Sequence, residues 1–308
     1  VAKFLTFAGI GFLSALSDKI GRRPLMIWSA LGFGVTNLIQ AQAGGTSNSV
    51  AVLYLADFID GCSSCMLPLC QAYIADVSSS ESLAANLGVF QGLSAGGAFI
   101  IAFPVGGIVG AKYGPRVPLF LAAAIQALNA LILLLFTPES NPPQPAGTKL
   151  NLVEANPIRG LKRLFGNAPI LRTASILYFL VALARSSLDA QFSNYSSIRF
   201  GWTQAQSGPV LVMVGLMLAI APRIFVPLFG LKNSILSGIL ILAIGLTGAG
   251  LAPTPTPFIS SIAIVSIGCV CVPALTALLA NLAPAGQKGA LLGAVGSLTE
   301  LTGGVGST

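Results

Sequence analysis

Two aspartates lie in a stretch of sequence that is otherwise apolar. Asp57 and Asp60 are three residues apart, so they lie on one face of a helix. Burial and mutual repulsion both disfavour the second negative charge, and such a pair can hold a proton, bind a cation or neutralise itself against an arginine. The competing interpretation is that Asp57 faces water and that Asp60 caps a kink at Gly61. Because ionisable groups are costly in an apolar medium, we treat the pair as a candidate coupling site for protons or a cation.

An arginine and an aspartate form a second pair in another apolar stretch. Arg185 and Asp189 are four residues apart, which is the spacing of an ion pair within one helix. Either they neutralise each other near one end of that helix, or they present charge to a cavity. In the second case Arg185 is a candidate partner for Asp57 and Asp60, so all four residues are candidate cavity residues.

The elements that hold these charges are membrane-spanning helices. The 308 residues are 54% hydrophobic and only 8% charged, with a mean hydropathy of +0.85, whereas a soluble domain carries about 25% charged residues. Successive apolar segments are each near the ~20 residues that a helix needs to cross a bilayer. The ten segments are roughly 1–16, 25–43, 50–74, 84–111, 117–137, 169–192, 207–229, 234–252, 258–281 and 289–308. The first and the last are interrupted by the chain ends, so we expect a fragment of a longer protein.

A longer polar connection divides the chain into two halves. We predict an N-terminal helical bundle at 1–137, a cytoplasmic linker at 138–166 and a C-terminal helical bundle at 167–308. Lysine and arginine are concentrated in alternate loops, which the positive-inside rule assigns to the cytoplasm. They are Lys19, Arg22 and Arg23, then Lys149, Arg159, Lys162 and Arg163, then Arg223 and Lys232, then Lys288. This topology accounts for the net charge of +7, and we expect no nucleic-acid partner because the cations are not gathered on one soluble face.

The two halves contain similar segments. Residues 68–88 align with residues 273–293 at an offset of 205, with coincident proline, alanine, leucine and glycine positions. Two halves related by duplication and joined by a long linker are the plan of a large class of transporters. Chance similarity between two segments rich in alanine, leucine and glycine is the alternative.

The first polar loop carries a family resemblance. The run from Ser14 to Pro24 (SALSDKIGRRP) resembles the signature of the major facilitator superfamily between its helices 2 and 3, with only the leading glycine changed to serine. Further segments are similar to the tetracycline-antiporter-like and hippocampus-abundant-transcript-like branch. They are Ala72 to Asp76, Thr137 to Ser140, Phe200 to Trp202 and Pro273 to Leu279. The resemblance implies an all-α membrane protein of two six-helix bundles, with this chain covering about helices 2 to 11.

The resemblance also implies a role for the loop. In the family this cluster latches the two halves together on the cytoplasmic side in one conformation. The predicted latch residues are Asp18, Lys19, Gly21, Arg22 and Arg23. Gly21 permits a tight turn, and a carboxylate such as Asp18 can accept bonds from helix N-terminal amides or from an arginine.

Two other family motifs are altered. Asp57 occupies the position of an arginine that the family uses in proton coupling, which argues against inherited proton antiport. The antiporter motif of helix 5 keeps Pro104, Gly106 and Gly107 but lacks its first glycine. Glycines every four residues, at Gly88, Gly92 and Gly96, predict close helix packing on that helix, and we assign Pro104, Gly106 and Gly107 to the same packing role.

We predict a transporter rather than an enzyme. The sequence has no histidine and no phosphate-binding Gly-Lys-Ser/Thr loop, which excludes His-based catalysis and a built-in ATPase. Cys62 and Cys65 have metal-ligand spacing, but cysteines in such segments are ordinarily packing residues, so we expect no metal and no cofactor. A small-molecule substrate would cross the bilayer by alternating access, driven by protons or a coupling cation. The alternative is a membrane scaffold or sorting receptor that keeps the fold without transporting.

Overall fold

The computed structural model describes residues 2–43, 49–141, 161–162, 164–166, 168–202, 204–283 and 287–306, and within them it contains helices and no strand. The helices of the first half are α1 Ala2–Ile20, α2 Arg22–Ala43, α3 Ser49–Ser63, α4 Met66–Val77, α5 Leu83–Gly97, α6 Phe103–Tyr113 and α7 Arg116–Phe136. Those of the second half are α8 Pro169–Phe200, α9 Gln204–Leu251, α10 Pro255–Gly268, α11 Cys271–Asn281 and α12 Lys288–Gly306. A π-helical turn, Ala98–Ala102, joins α5 to α6.

Proline explains why two of the predicted apolar segments contain two helices each. Residues 64–65 separate α3 from α4, and residues 269–270 separate α10 from α11. Pro68 and Pro273 follow these breaks, and each lacks the N–H that would bond to the carbonyl four residues earlier, at 64 or 269. The two breaks are 205 residues apart, which is the offset of the predicted repeat.

The polar turn predicted from Ser17 to Pro24 is a single residue in the structure. The helix α1 continues to Ile20 and α2 begins at Arg22, with Gly21 between them at φ 102°. Only glycine adopts this left-handed conformation without strain. In the second half, Gly230 interrupts α9 in the same way at φ 73°. Hydropathy underestimates the helix lengths because polar residues at helix ends remain helical beyond the apolar segment.

The chain forms two compact units, which do not follow the predicted halves. The first unit comprises Val1–Val77, Gly106–Ser175 and Leu282–Gly304, and the second comprises Ser78–Val105, Ile176–Asn281 and Val305–Thr308. The helix α12 therefore belongs with first-half helices, and α5 belongs with second-half helices. The division into bundles at 1–137 and 167–308 stays a prediction, and most of the linker at 138–166 lies outside the described residues.

In the first unit, α2 packs against α7 and α3, and α1 packs against α3. A core of small and branched side chains lies between these helices, comprising Leu13, Leu25, Met26, Ala30, Cys65, Leu69, Ala130 and Leu133. The helix α12 contacts α1 closely: the Ser297 hydroxyl donates to the carbonyl of Phe7 at 3.0 Å, and a Cβ on Gly293 would lie 2.8 Å from Ser14 Oγ. Small residues thus bring these two backbones together.

In the second unit, α9 packs against α10 and α5. Its core is aromatic and centres on Phe258, which is 2% exposed. The ring centroid of Phe258 lies 5.2 Å from that of Phe200 and 5.5 Å from that of Tyr195. Aromatic pairs at these distances contribute about 0.5–1.5 kcal/mol beyond the area they bury.

Among the described residues, five helical stretches are long and apolar enough to cross a membrane by length and composition. They are Val50–Val77, Arg116–Phe136, Pro169–Phe200, Gln206–Leu251 and Pro255–Asn281. One face of α7 leaves large apolar side chains uncovered, including Leu128 and Phe136. Apolar residues on the outside of a helical protein are expected where the solvent is lipid.

Candidate functional site

Asp18 joins the end of α1 to the beginning of α12. Its Oδ1 accepts a hydrogen bond from the N–H of Gly289 at 2.9 Å, and its Oδ2 accepts one from the N–H of Ala290 at 2.7 Å. These amides lie in the first turn of α12, where N–H groups have no partner within the helix and the dipole is positive. A Cβ on Gly289 would lie 2.7 Å from Asp18 Oδ1, so glycine is needed for this approach. The contact agrees with the prediction that Asp18 accepts bonds from helix N-terminal amides.

Arg22 lies between two carboxylates and is 1% exposed. One of its terminal nitrogens is 2.6 Å from Asp18 Oδ1, and its Nε donates to Asp76 Oδ2 at 3.0 Å. A further N–H donates to the Ser17 hydroxyl. A buried guanidinium is costly unless it is paired and hydrogen-bonded, and these partners satisfy it. Arg22, at the start of α2, therefore connects the ends of α1 and α4.

Lys288 connects the beginning of α12 to the end of α4. Its Nζ donates to the carbonyl of Ala75 at 2.6 Å and lies 3.7 Å from Asp76 Oδ1. Asp76 is thus shared between Arg22 and Lys288. We call Asp18, Arg22, Asp76 and Lys288 the charge cluster; acids and bases alternate in it, and its formal charge is zero.

Glu139 and Arg23 support the charge cluster by capping neighbouring helices. The carboxylate of Glu139 accepts from the N–H of Arg22 at 2.7 Å and from the N–H of Arg23 at 3.0 Å, which caps the start of α2. Arg23 in turn donates from Nε to the carbonyl of Leu133 at 3.0 Å, near the end of α7. Each contact places a charge at the helix end that favours it. The result is a fixed position for Arg22.

Burial raises the pKa of Asp18 above its ordinary value. Asp18 lies beyond the first apolar segment, 1–16, in the predicted polar turn. The Arg22 guanidinium and the N–H groups of Ala290 and Gly289 act against that rise. Arg22 and the two amide N–H groups thus favour the ionised form of Asp18, whereas burial, the larger effect, disfavours it.

Sequence reasoning finds part of this site and misses the rest. Of the predicted latch residues, Asp18, Arg22 and Arg23 make the contacts described above. Gly21 forms the turn between α1 and α2, and Lys19 is half-buried in the last turn of α1. The motif around Asp18 does not point to Asp76, Glu139 or Lys288. The signal for Asp76 and Lys288 is their position, since each has a charge that its own helix end disfavours.

Asp57 and Asp60 are half-buried in α3. The N–H of Ser64 donates to the carbonyl of Asp60 at 2.8 Å, so α3 remains regular past Gly61. The alternative in which Asp60 caps a kink at Gly61 is wrong, because the helix breaks at 64–65, where Pro68 removes a hydrogen bond. The role of the two aspartates in coupling stays a prediction.

Arg185 and Asp189 pair with each other in α8. Arg185 Nε lies 3.4 Å from Asp189 Oδ2, with the side chains 29% and 62% exposed. This agrees with the alternative in which the two charges neutralise each other. A partly exposed pair of this kind contributes only about 0–1 kcal/mol to stability.

Gly88 and Gly92 make the close contact that their spacing predicts. A Cβ on Gly92 would lie 2.6 Å from the backbone nitrogen of Ala219, and a Cβ on Gly88 would overlap the ring of Pro222. Both partners are in α9. Contacts this short involve backbone or a rigid ring, so the two helices can approach only where Cβ atoms are missing.

The packing prediction is wrong for Gly106 and Gly107, which lie at the other end of the predicted apolar segment 84–111. A Cβ on Gly106 or Gly107 would meet no atom within 4 Å among the described residues. The π-helical turn Ala98–Ala102 changes the phase between α5 and α6, so the small-residue face of α5 does not continue into α6. The surroundings of Gly96 and Pro104 lie outside the described residues.

Comparison with known proteins identifies the family of the chain. A family model described as the Major Facilitator Superfamily matches residues 4–307. The chain is 27% identical over 296 residues to the tetracycline resistance protein, class C, of Escherichia coli, covering 94% of this chain and 72% of that protein. It is 29% identical over 295 residues to multidrug resistance protein 2 of Bacillus subtilis, covering 92% and 70%. The hippocampus abundant transcript 1 protein of Mus musculus is 26% identical over 244 residues, covering 76% and 49%.

A solved structure shows the same fold. The human organic anion transporter MFSD10 matches with a TM-score of 0.85 at 23% identity, covering 99% of this chain and 74% of that one. The family resemblance and the all-α membrane fold predicted from the sequence are therefore confirmed.

Proposed function

Because the chain belongs to the major facilitator superfamily, whose members are multi-pass membrane transporters rather than enzymes, we propose that it moves a small solute across the membrane by alternating access. Efflux coupled to protons or a cation is the form we propose. The Asp18 contact with α12 would then be the latch of one of the two states.

The contact of Asp18 with Gly289 and Ala290 carries this proposal. It joins a helix of the first half of the sequence to a helix of the second half, within one compact unit. Separation of α1 from α12 would leave the carboxylate without two amide donors and the first turn of α12 without its cap. A contact that exists in only one of the two arrangements biases the equilibrium towards that arrangement.

The effect of removing the charge can be estimated. Hydrogen bonds to a charged group contribute about 1.5–3 kcal/mol each when the group is buried. In Asp18→Asn one acceptor oxygen becomes an amide that cannot accept, and the attraction to Arg22 is lost. We expect the latched state to lose about 2–4 kcal/mol, which is enough to change the balance of conformations by more than tenfold.

Transport by the full-length protein in proteoliposomes tests the proposal. Tetracycline is the first probe, because one relative is a tetracycline resistance protein. Uptake is measured with and without a pH gradient. We expect Asp18→Asn to reduce uptake at least tenfold with little change in protein yield, and Glu81→Gln to retain uptake, because Glu81 is an exposed acid in another turn. Normal uptake by Asp18→Asn would leave the loop as a topology signal only. Failure of the wild type to move any solute in a wider screen would favour the alternative function, a membrane scaffold or sorting receptor that keeps the fold without transporting.

We further propose that Asp57 and Asp60 make transport sensitive to protons or to a cation. The two carboxyls are half-buried and three residues apart, so they lie on one face of α3. Asp57→Asn/Asp60→Asn preserves size and polarity but removes titration, so uptake should lose its dependence on pH and on the cation. The Glu81→Gln variant should keep both dependences. A double variant whose uptake responds to pH and cations like the wild type would refute this role.

A further inference from the structure

Every member of the charge cluster lies at the unfavourable end of its own helix. Asp18 and Asp76 are acids in the last turns of α1 and α4, where the helix dipole is negative. Arg22 and Lys288 are bases at the first residues of α2 and α12, where the dipole is positive. Helix propensity and local electrostatics would place each charge at the opposite end. Contacts between helices compensate this placement.

Lys288 shows this most directly. The N–H groups of its own helix are capped by Asp18, whereas its ammonium donates to the carbonyl of Ala75 at 2.6 Å. That carbonyl belongs to the last turn of α4, which lacks partners within the helix. The carboxylate of Asp76 is farther away, at 3.7 Å, so the carbonyl is the nearer partner and the carboxylate supplies additional attraction.

We propose that Lys288 is a second positioning residue of the latch, which ties α12 to α4 independently of the Asp18 contact with α12. The inference rests on the proposed function, because it assumes that α12 moves away from this position during transport. Two contacts then hold the first turn of α12. Its N–H groups donate to Asp18 on α1, and the Lys288 ammonium donates to the carbonyl of Ala75 on α4. The two ties use different atoms and different helices.

The unfavourable position of Lys288 makes the tie stronger than its partial exposure suggests. A lysine on an ordinary surface gains water when an ion pair separates, so the pair contributes little. When α12 leaves α4, Lys288 stays beside the positive end of α12, and Asp76 stays beside the negative end of α4. Both residues are therefore less favourable in the separated state, and the difference adds to the bias towards the latched state.

The labelling rate of a thiol placed in the α1–α12 interface tests the proposal, and it requires no knowledge of the substrate. Ser14 is fully buried and faces Gly293, so a Ser14→Cys thiol reacts with N-ethylmaleimide only when the interface opens. The rate is measured on the purified full-length protein in detergent. Labelling of the five native cysteines is measured on the chain without Ser14→Cys and subtracted.

Four variants are compared in the Ser14→Cys background. We expect Lys288→Met to raise the labelling rate about three- to tenfold, because it removes a charge-assisted bond at a partly exposed site. Lys288→Arg keeps the charge and should stay within about twofold of the parent. Lys232→Met is the matched control, since Lys232 is exposed. Asp18→Asn reports on the proposed latch itself and should raise the rate more than tenfold.

The outcomes separate the two proposals. A rise in Asp18→Asn, with Lys288→Met no faster than Lys232→Met, would overturn the second tie and leave the latch in place. Unchanged labelling in both Asp18→Asn and Lys288→Met would overturn the latch and the tie together. Equal rises in Lys288→Met and Lys288→Arg would also overturn the tie, because the charge would not be the cause.

Discussion

The substitution of Gly92 by alanine is a sharp test of the α5–α9 contact. The added Cβ would lie 2.6 Å from the nitrogen of Ala219 and 2.6 Å from the carbonyl oxygen of Leu218. Both atoms are backbone, so no side-chain rotation relieves the overlap. The two helices must separate, and the neighbouring contact between Gly88 and Pro222 must loosen with them.

The expected cost follows from two opposing effects. Overpacking of a tight contact costs about 1–3 kcal/mol, while replacing glycine by alanine within a helix gains up to about 1 kcal/mol. The matched control is Gly106→Ala in α6, where the Cβ meets nothing within 4 Å among the described residues and only the gain should remain. The gain is common to both variants, so they should differ by the overpacking cost alone, about 1–3 kcal/mol, or roughly 2–12 °C in melting temperature.

Thermal unfolding of the full-length protein in detergent measures this difference. Cys65, Cys269 and Cys271 are buried, so a maleimide dye that fluoresces on reaction reports their exposure as the protein unfolds. We expect Gly92→Ala to melt below the wild type and Gly106→Ala to melt at or above it. If Gly92→Ala melts as high as Gly106→Ala, the α5–α9 contact is not as close as the structure shows.

Two further substitutions test the turn that positions Arg22, with the same melting assay. In Gly21→Ala the Cβ would lie 2.5 Å from the Glu139 carboxylate at φ 102°, whereas Gly114→Ala has a comparable backbone strain at φ 92° and no atom within 4 Å among the described residues. We expect Gly21→Ala to melt several degrees below Gly114→Ala, and equal melting would show that the Glu139 contact adds no cost. Glu139→Gln weakens the cap of α2 and should cost about 1 kcal/mol, while Glu81→Gln in an exposed turn should cost nothing measurable; equal effects would contradict the capping role.

The sequence predicts the helical segments and one side of the site. Hydropathy locates every apolar segment, and the prolines at 68 and 273 explain the breaks that hydropathy alone does not show. The spacing around Asp18 and Gly21 predicts a tight turn with a carboxylate available to a helix end. It does not predict which helix end, because the contact with Gly289 joins residues 271 positions apart in the sequence. Such proximity depends on packing between helices, which local patterns do not encode.

Charged residues at unfavourable helix ends offer a way to recover part of this information. Once hydropathy gives the approximate bounds of a helix, an acid in its last turn or a base in its first turn is a local conflict. Sequences that fold well have few such conflicts, so each one indicates a compensating contact elsewhere. Asp76 and Lys288 meet this criterion, and they lie close to each other, with Lys288 Nζ 3.7 Å from Asp76 Oδ1. Glu139 does not, because it lies beyond Phe136, where α7 ends, and has no helix end of its own.

The two halves of the sequence use different means to hold equivalent helices. The offset of 205 places Gly88 of α5 opposite Gly293 of α12, and each glycine lies against a neighbouring helix, Gly88 against Pro222 and Gly293 against Ser14. Close packing is therefore present in both copies. The charge cluster lies in the first unit, and the second-half loop around Gly230 lacks the acid that would correspond to Asp18. Packing contributes a contact that is indifferent to ions, whereas ionised partners respond to protonation and salt. If α12 moves during transport, as we propose, an ion-sensitive bias would act through α12 in the first unit, whereas the described glycine contacts between α5 and α9 in the second unit are close packing.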